Sequence, residues 1–221
     1  MLHFLILILI YSCIYASMSL GQNLITGYTG MLSLCAAGFF AVGSYTTAIL
    51  TTKFAWSFWA TLPVAAILAA LMGVLIGLPT LRLKGDYLAI ATLGFAEIVR
   101  NIINNWDALT NGPMGIQRIP MITIFGLKIS PYQKYGFLLM EIILLAVCWF
   151  LFERLASSRM GRALEAIRED EIAANSMGIN VTKYKVVSFA LGAAVTGIAG
   201  CLQAEFTLSV SPGSYVFMVS I

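Results

Sequence analysis

One stretch of helical length carries polar side chains that repeat every three to four residues. In GDYLAIATLGFAEIVRNIINNWDAL they are Glu97, Arg100, Asn101 and Asn104, which share one face of a helix. Glu97 and Arg100 can form an ion pair at this spacing. A charge at the centre of a bilayer costs about 2.5–3.5 kcal/mol on insertion scales. The face therefore predicts either a wet cavity or translocation path, or a helix end that meets water at a membrane interface.

A second polar stretch, residues 158–185, holds nine of the 23 charged residues, in SRMGRALEAIREDEIAANSMGINVTKYK. Its pattern predicts a short amphipathic helix with Leu164 and Ile167 on one face. Asp170 is a typical N-cap residue for a second short helix, which Gly178 would end in the left-handed conformation. Helices this short are marginal on their own. The stretch is therefore interpreted either as a docking element for another protein or as an ordinary solvated loop.

Residues for covalent or metal chemistry are scarce in this sequence. The only histidine is His3, and no GxxxxGK[ST] nucleotide-binding loop and no nucleophile–base arrangement is present. We therefore predict no metal, no cofactor and no enzymatic activity of the chain's own. The triplet Asn-Val-Thr at 180–182 falls in the charged stretch, where Thr182 is expected to cap a helix. Small buried side chains are expected at the four isolated cysteines, Cys13, Cys35, Cys148 and Cys201.

The composition places these polar groups in a membrane protein. The chain is 60% hydrophobic and 10% charged, with a mean hydropathy of +0.90, whereas soluble domains carry about 25% charged residues. The net charge is only +3 and the basic residues are scattered, so nucleic-acid binding is not expected. Long apolar runs, rather than alternating ones, indicate helices. The expected fold class is an all-α, multi-spanning membrane protein.

Six hydrophobic segments are expected within a single transmembrane domain, 1–221. They cover approximately 2–20, 30–50, 55–78, 87–105, 135–152 and 186–204. The second segment is rich in small residues and is expected to be broken or re-entrant. The sixth carries small residues at helical spacing, which let a neighbouring helix approach closely in ordinary bundle packing. These residues are Ala190, Ala193, Ala194, Gly197 and Gly200.

Two further carboxyl groups stand apart from the polar stretches. Glu205, at the end of the sixth segment, is expected at the outer membrane interface. Glu141 lies inside the fifth segment but close to Lys134, so a boundary position is expected for it as well. An isolated acid within a membrane span can alternatively serve as a proton relay.

The distribution of Lys and Arg predicts the orientation of the chain. With 158–185 in the cytoplasm, the loop counted from 153 to 185 holds six basic residues, and Arg82 and Lys84 raise the cytoplasmic total to eight, against four on the opposite side. Alternating spans then leave residue 1 outside. Either the segment near 21–50 does not cross, or an earlier span lies outside this sequence. A new hydrophobic run also begins at the far end, and the chain is therefore expected to be a fragment.

Three blocks, taken in order, resemble one known family over nearly the whole chain. The family is the permease subunit of branched-chain amino acid importers of the ATP-binding cassette (ABC) type, the Liv permease group. GQNLITGYTGMLSLCAAGFFAVGSYTTAIL resembles its N-terminal glycine-rich signature, and GDYLAIATLGFAEIVRNIINNWDALTNGPMGI resembles its central one. GRALEAIREDEIAANSMGINVTKYK resembles its cytoplasmic loop. The resemblance implies a fold of the ABC importer permease type.

The resemblance also implies that the cytoplasmic loop couples to an ATPase. Importer permeases carry an E-A-A, three residues, then G element, whose short helix docks on the ATP-binding subunit. Ala173, Ala174 and Gly178 match it, whereas Ile172 takes the Glu position and Glu171 is one place early. The expected coupling residues are Glu165, Arg168, Asp170, Glu171, Ala173, Ala174 and Gly178. The implied partners are a second permease subunit, two ATP-binding subunits and an extracytoplasmic amino-acid-binding protein, in the lipid bilayer of a bacterial cytoplasmic membrane.

These observations predict a permease subunit for leucine, isoleucine or valine, with ATP hydrolysed by partner subunits. Related subunits for urea, amides or other amino acids share the same signatures and stay as alternatives. An ion-coupled secondary carrier would use Glu97 and Glu141 and would work without any ATPase. A membrane anchor or assembly protein would have no need of the polar face on the fourth segment.

Overall fold

The computed structural model describes residues 2–80, 83, 85–124, 127–129 and 134–215, which are mainly helical. The helices are α1 (Leu2–Asn23), α2 (Ala36–Lys53), α3 (Phe58–Thr80), α4 (Asp86–Asn105), α5 (Asp107–Thr110), α6 (Lys134–Ala156), α7 (Arg159–Glu169), α8 (Glu171–Ser176) and α9 (Val181–Thr207). The strands are β1 (Ile116–Gln117), β2 (Ile122–Ile124), β3 (Leu127–Ile129) and β4 (Ser209–Val210). The predicted all-α class is confirmed, because the strands are only two or three residues long.

Four helical stretches of the described chain are long and apolar enough to cross a membrane. They are Phe4–Tyr28, Phe58–Pro79, Tyr135–Ala156 and Val181–Thr207. Helix α2 is rich in glycine, serine and threonine, and α4 carries the charged side chains of Asp86, Glu97 and Arg100. Neither α2 nor α4 is among the four stretches.

Helix α9 packs against α1, α2 and α3, and small residues allow the close approach. A Cβ atom at Gly200 would collide with the carbonyl oxygen of Phe40 on α2. A Cβ atom at Gly197 would lie 2.5 Å from the Cβ atom of Ala69 on α3. Of the five small residues singled out in the sequence, Ala193, Gly197 and Gly200 are buried, and Ala190 and Ala194 are half-buried.

The chain between α1 and α2 is irregular after a π-helical turn over Leu24–Tyr28. Gly30 has a φ of +67°, and regular helix resumes only at Ala36. The backbone N–H of Leu34 donates to Thr92 Oγ1 of α4 at 2.9 Å, so a side chain satisfies part of this non-helical backbone. The first six residues of the segment predicted at 30–50 are therefore not helical.

The two ends of the bundle differ in what covers them. At one end, Lys53 Nζ, on the last residue of α2, donates to the carbonyl oxygen of Ala108 at 2.7 Å. At the same end β1 pairs antiparallel with β4, with Ile116 opposite Val210. The other end carries α7 and α8. Arg82 and Lys84, on which the predicted orientation partly depends, lie outside the described residues.

Glu141 and Glu205, for which a position at the membrane boundary is predicted, both have buried side chains, and the boundary position itself stays a prediction. Glu141 lies on the face of α6 that also buries Phe137 and Cys148. Glu205 follows Cys201 by one helical turn, and Cys201 Sγ approaches the carbonyl oxygen of Gly43 on α2 at 3.6 Å. Hydropathy alone could not reveal which face of each helix is covered by its neighbours.

Candidate functional site

The charged stretch 158–185 folds as the helix pair α7–α8 followed by the start of α9. Ser158 caps α7, because its hydroxyl accepts from the backbone N–H of Met160 at 3.1 Å and of Gly161 at 3.4 Å. Leu164 and Ile167 are buried, as the amphipathic pattern predicts. Glu165 and Arg168 of the same helix are exposed.

Asp170 separates the two short helices and caps α8, as predicted. Its carboxylate accepts from the backbone N–H of Ile172 at 2.8 Å and of Ala173 at 3.0 Å. Gly178 ends the turn with a φ of +85°, the left-handed conformation expected there. The backbone N–H of Ile179 closes this end on the carbonyl oxygen of Ala174 at 3.1 Å. Both ends of α8 are therefore fixed by the sequence itself.

A small hydrophobic cluster holds the helix pair together. Ile167, Ala174 and Val181 are buried against one another, one from each of α7, α8 and α9. Ala174 therefore lies inside the pair, whereas the neighbouring Ala173 is exposed. Two large hydrophobic side chains of this region are exposed, Ile172 at 75% and Met177 at 84%. An apolar surface is thus presented outward by α8 and the residue that follows it.

Glu171 and Lys185 form an ion pair that sequence reasoning missed. Lys185 Nζ lies 2.8 Å from the Glu171 carboxylate, and the Lys185 side chain is only 10% exposed. The two residues are fourteen positions apart, a spacing with no helical or turn signature. The pair joins α8 to the beginning of α9.

The prediction that Thr182 caps a helix is wrong. The cap of α9 is Asn180, whose side-chain oxygen accepts from the backbone N–H of Lys183 at 3.0 Å. Thr182 lies within the first turn of α9 and is exposed. Both residue types favour caps, and only the backbone angles decide between them.

A polar groove of about 570 Å³ runs along the surface of the helix pair. It is lined by Glu171, Ile172, Asn175, Gly178, Ile179, Asn180, Val181 and Thr182. A Cβ atom at Gly178 would meet nothing within 4 Å, so the space beside this glycine is open. The groove can accommodate side chains of a contacting protein.

The polar face of α4 is turned away from the core of this chain. The side of α4 that packs inward carries Leu88, Thr92, Ala96, Val99 and Ile103. Glu97 and Arg100 are paired, with Arg100 Nη2 2.7 Å from the Glu97 carboxylate, and each side chain is about one-third exposed. Asn101 is exposed and Asn104 is half-buried. The predicted polar residues therefore lie outside the buried side of α4 and are partly exposed, and their role in a translocation path stays a prediction.

Within the described part of the chain, no group of three or more His, Cys, Asp or Glu side chains is placed to hold a metal ion. The four cysteines are free thiols, three of them buried. The described chain therefore has an apolar contact surface on α8, a polar face on α4 and a helical bundle between them.

The chain is similar in sequence to known permease proteins. A family model described as the permease component of the branched-chain amino acid transport system matches residues 4–221. The high-affinity branched-chain amino acid transport system permease protein LivM of Escherichia coli K12 is 41% identical over 228 aligned positions. That alignment covers 94% of this chain and 54% of the relative, so the chain spans about half the length of LivM.

More distant relatives include two further permease proteins. The probable branched-chain amino acid transport permease protein LivM of Methanocaldococcus jannaschii is 28% identical, over 68% of this chain and 44% of the relative. The high-affinity permease protein LivH of Escherichia coli K12 is 24% identical, over 90% of this chain and 68% of the relative. No solved structure matches the chain significantly.

Proposed function

This chain belongs to the family of permease components of branched-chain amino acid transport systems, and we propose that it forms part of the membrane path of an importer for leucine, isoleucine or valine. The match to the family model over 4–221 is the observation that carries the proposal. The chain is a multi-pass membrane protein, and its similarity to Escherichia coli LivM supports a bacterial cytoplasmic membrane as its location. Its partners are a second permease subunit, two ATP-binding subunits and an external binding protein.

The helix pair α7–α8 is the docking element in this proposal. Ile172 and Met177 project from it and offer apolar contact area to an ATP-binding subunit. The caps at Asp170 and Gly178 and the cluster around Ala174 make α8 a rigid body. A rigid element can pass on a displacement that a flexible loop would absorb. Transport is coupled to ATP only if the docked subunit binds the two states of the permease differently.

The translocation path is lined partly by the polar face of α4 in this proposal. Glu97, Arg100, Asn101 and Asn104 lie outside the buried side of α4, which leaves them partly exposed for contact with a wet path or with a second permease subunit. A polar face is costly against lipid but favourable against a wet path. The internal Glu97–Arg100 pair leaves the face with little net charge, which suits a zwitterionic amino acid.

Uptake by the full-length protein with its partner subunits in liposomes tests this function. We expect uptake of labelled leucine, isoleucine or valine that requires ATP and the external binding protein, and mutual competition among the three. Competition by urea or amides instead would assign the alternative substrates. Uptake that persists without the ATP-binding subunits but collapses with an ion gradient would contradict the proposal.

A further inference from the structure

Arg168 reaches from α7 to the irregular chain between α1 and α2, residues 24–35, which we call the linker. Arg168 Nη1 donates to the carbonyl oxygen of Gly27 at 2.8 Å. The stem of the same side chain passes over Gly30, where a Cβ atom would lie 2.7 Å from Arg168 Cγ. Gly30 also has a φ of +67°, which favours glycine, so both its backbone conformation and the nearby Arg168 side chain disfavour a larger residue there.

The carbonyl of Gly27 is a suitable attachment point. It lies in the π-helical turn Leu24–Tyr28, after which the helix ends. Carbonyl oxygens in the last turn of a helix have no backbone N–H of a following turn to accept from. A guanidinium donor to such an oxygen makes a charge-assisted hydrogen bond, which is shorter and stronger than a neutral one. Arg168 is bonded to the linker although 141 residues separate it from Gly27.

The linker is attached in turn to the helices of the bundle. At its start, Ser188 Oγ of α9 donates to the carbonyl oxygen of Leu24 at 2.9 Å. Near its end, the backbone N–H of Leu34 donates to Thr92 Oγ1 of α4 at 2.9 Å. Thr92 precedes Glu97 by five residues on that helix. The linker therefore connects α7 with the helix that carries the polar face.

We propose that Arg168 is a positioning residue, which transmits movement of α7–α8 to the linker and, through the Leu34–Thr92 contact, to α4. The inference rests on the proposed function, because it names the route by which a docked ATPase would move the polar face. Gly27 and Gly30 suit a segment that changes its backbone angles during such a movement. Movement of α7–α8 displaces the linker through the Arg168 contact, and the Leu34–Thr92 contact passes that displacement to α4.

The test compares Arg168→Met with Arg162→Met in the full-length protein assembled with its partner subunits. Arg162 is a matched control, because it lies on the same helix and its side chain, within the described part of the chain, donates to the nearby carbonyl oxygen of Ser157 at 3.0 Å. Three quantities are measured: crosslinking of position 177 to the ATP-binding subunit, ATP hydrolysis, and amino acid taken up per ATP hydrolysed. Arg168→Lys and Gly30→Ala are measured alongside, so that the test does not depend on one variant that fails to fold.

We expect Arg168→Met to keep the crosslink and the hydrolysis but to lower uptake per ATP about tenfold, the scale of one lost hydrogen bond to a charged group. Arg168→Lys should lose less, Gly30→Ala should behave like Arg168→Met, and Arg162→Met should match the wild type. Uptake per ATP equal in the Arg168→Met and Arg162→Met proteins overturns the inference. Loss of the crosslink in Arg168→Met also overturns it, since Arg168 would then act in docking. A wild-type protein that neither crosslinks nor transports contradicts the proposed function itself.

Discussion

Lys185 Nζ lies 2.8 Å from the carboxylate of Glu171, and this ion pair fixes the short helix α8 to the base of α9. The ammonium group is mostly buried, whereas the Glu171 side chain is 36% exposed. A six-residue helix gains little from its own hydrogen bonds. The orientation of α8 therefore depends on this pair and on the cluster of Ile167, Ala174 and Val181.

Glu171→Gln should loosen α8, because it leaves the Lys185 ammonium group without its carboxylate. The expected loss is on the order of 1–2 kcal/mol, below the 3–5 kcal/mol of a fully buried pair, because water screens the exposed partner. Proteolysis within 158–185 and thermal unfolding of the purified protein measure it. Glu169→Gln is the control, since the Glu169 side chain is 79% exposed and lies 3.7 Å from Arg168.

A double variant separates the pair from its surroundings. Glu171→Gln combined with Lys185→Met should cost less than the two single changes added together, because each single change leaves a lone charge and the double variant leaves none. Strictly additive losses would show that the two side chains do not act as a pair.

Gly178→Val should cost about 1–2 kcal/mol, because a β-branched residue is strained at positive φ. The cost is purely conformational, since a Cβ atom at this position would meet nothing within 4 Å. Gly178→Asn should be tolerated, because Asn accepts the left-handed conformation. Uptake in cells would follow the same order. Equal loss from Val and Asn would instead point to a partner that fills this space.

Gly200→Ala should destabilise the bundle by about 1–3 kcal/mol, because its methyl group would strike the carbonyl oxygen of Phe40 and push α2 from α9. Gly94→Ala is the matched control within α4, where a Cβ atom would meet nothing within 4 Å. That change should stabilise by up to about 1 kcal/mol through helix propensity alone. Thermal unfolding in detergent compares the two. Similar midpoints for both variants would contradict the close packing of α2 against α9.

The helix caps and the buried side of α7 could be predicted from the sequence, because each depends on residues that are close together in the chain. Asp170 and Gly178 indicate the two ends of α8, and the spacing of Leu164 and Ile167 indicates the buried side of α7. The hydrogen bond of Arg168 could not be predicted from the sequence, because its acceptor is a backbone carbonyl group, which every residue has. The burial of Glu141 and Glu205 was likewise hidden, since it depends on which helix lies alongside.

Glu141→Gln should leave ATP-driven uptake unchanged. Neither carboxylate oxygen of Glu141 hydrogen-bonds to any residue that the structure describes, so a neutral side chain of the same shape loses no partner. The thermal midpoint should be unchanged or higher, because the amide cannot carry a buried charge. Glu205→Gln is a second example of the same situation. Loss of uptake at constant stability would favour the ion-coupled carrier.

The most direct test of the central claim is a photo-crosslinker attached at Met177 of the full-length protein, expressed with a tagged ATP-binding subunit. Met114 is the matched control, because its side chain is also highly exposed but lies in the loop that leads to β1, at the opposite end of the bundle. We predict that Met177→Cys carrying the crosslinker captures the ATP-binding subunit and that Met114→Cys does not. A transporter that takes up amino acids normally, yet yields no ATP-binding subunit from position 177, would contradict the assignment of α7–α8 as the docking element.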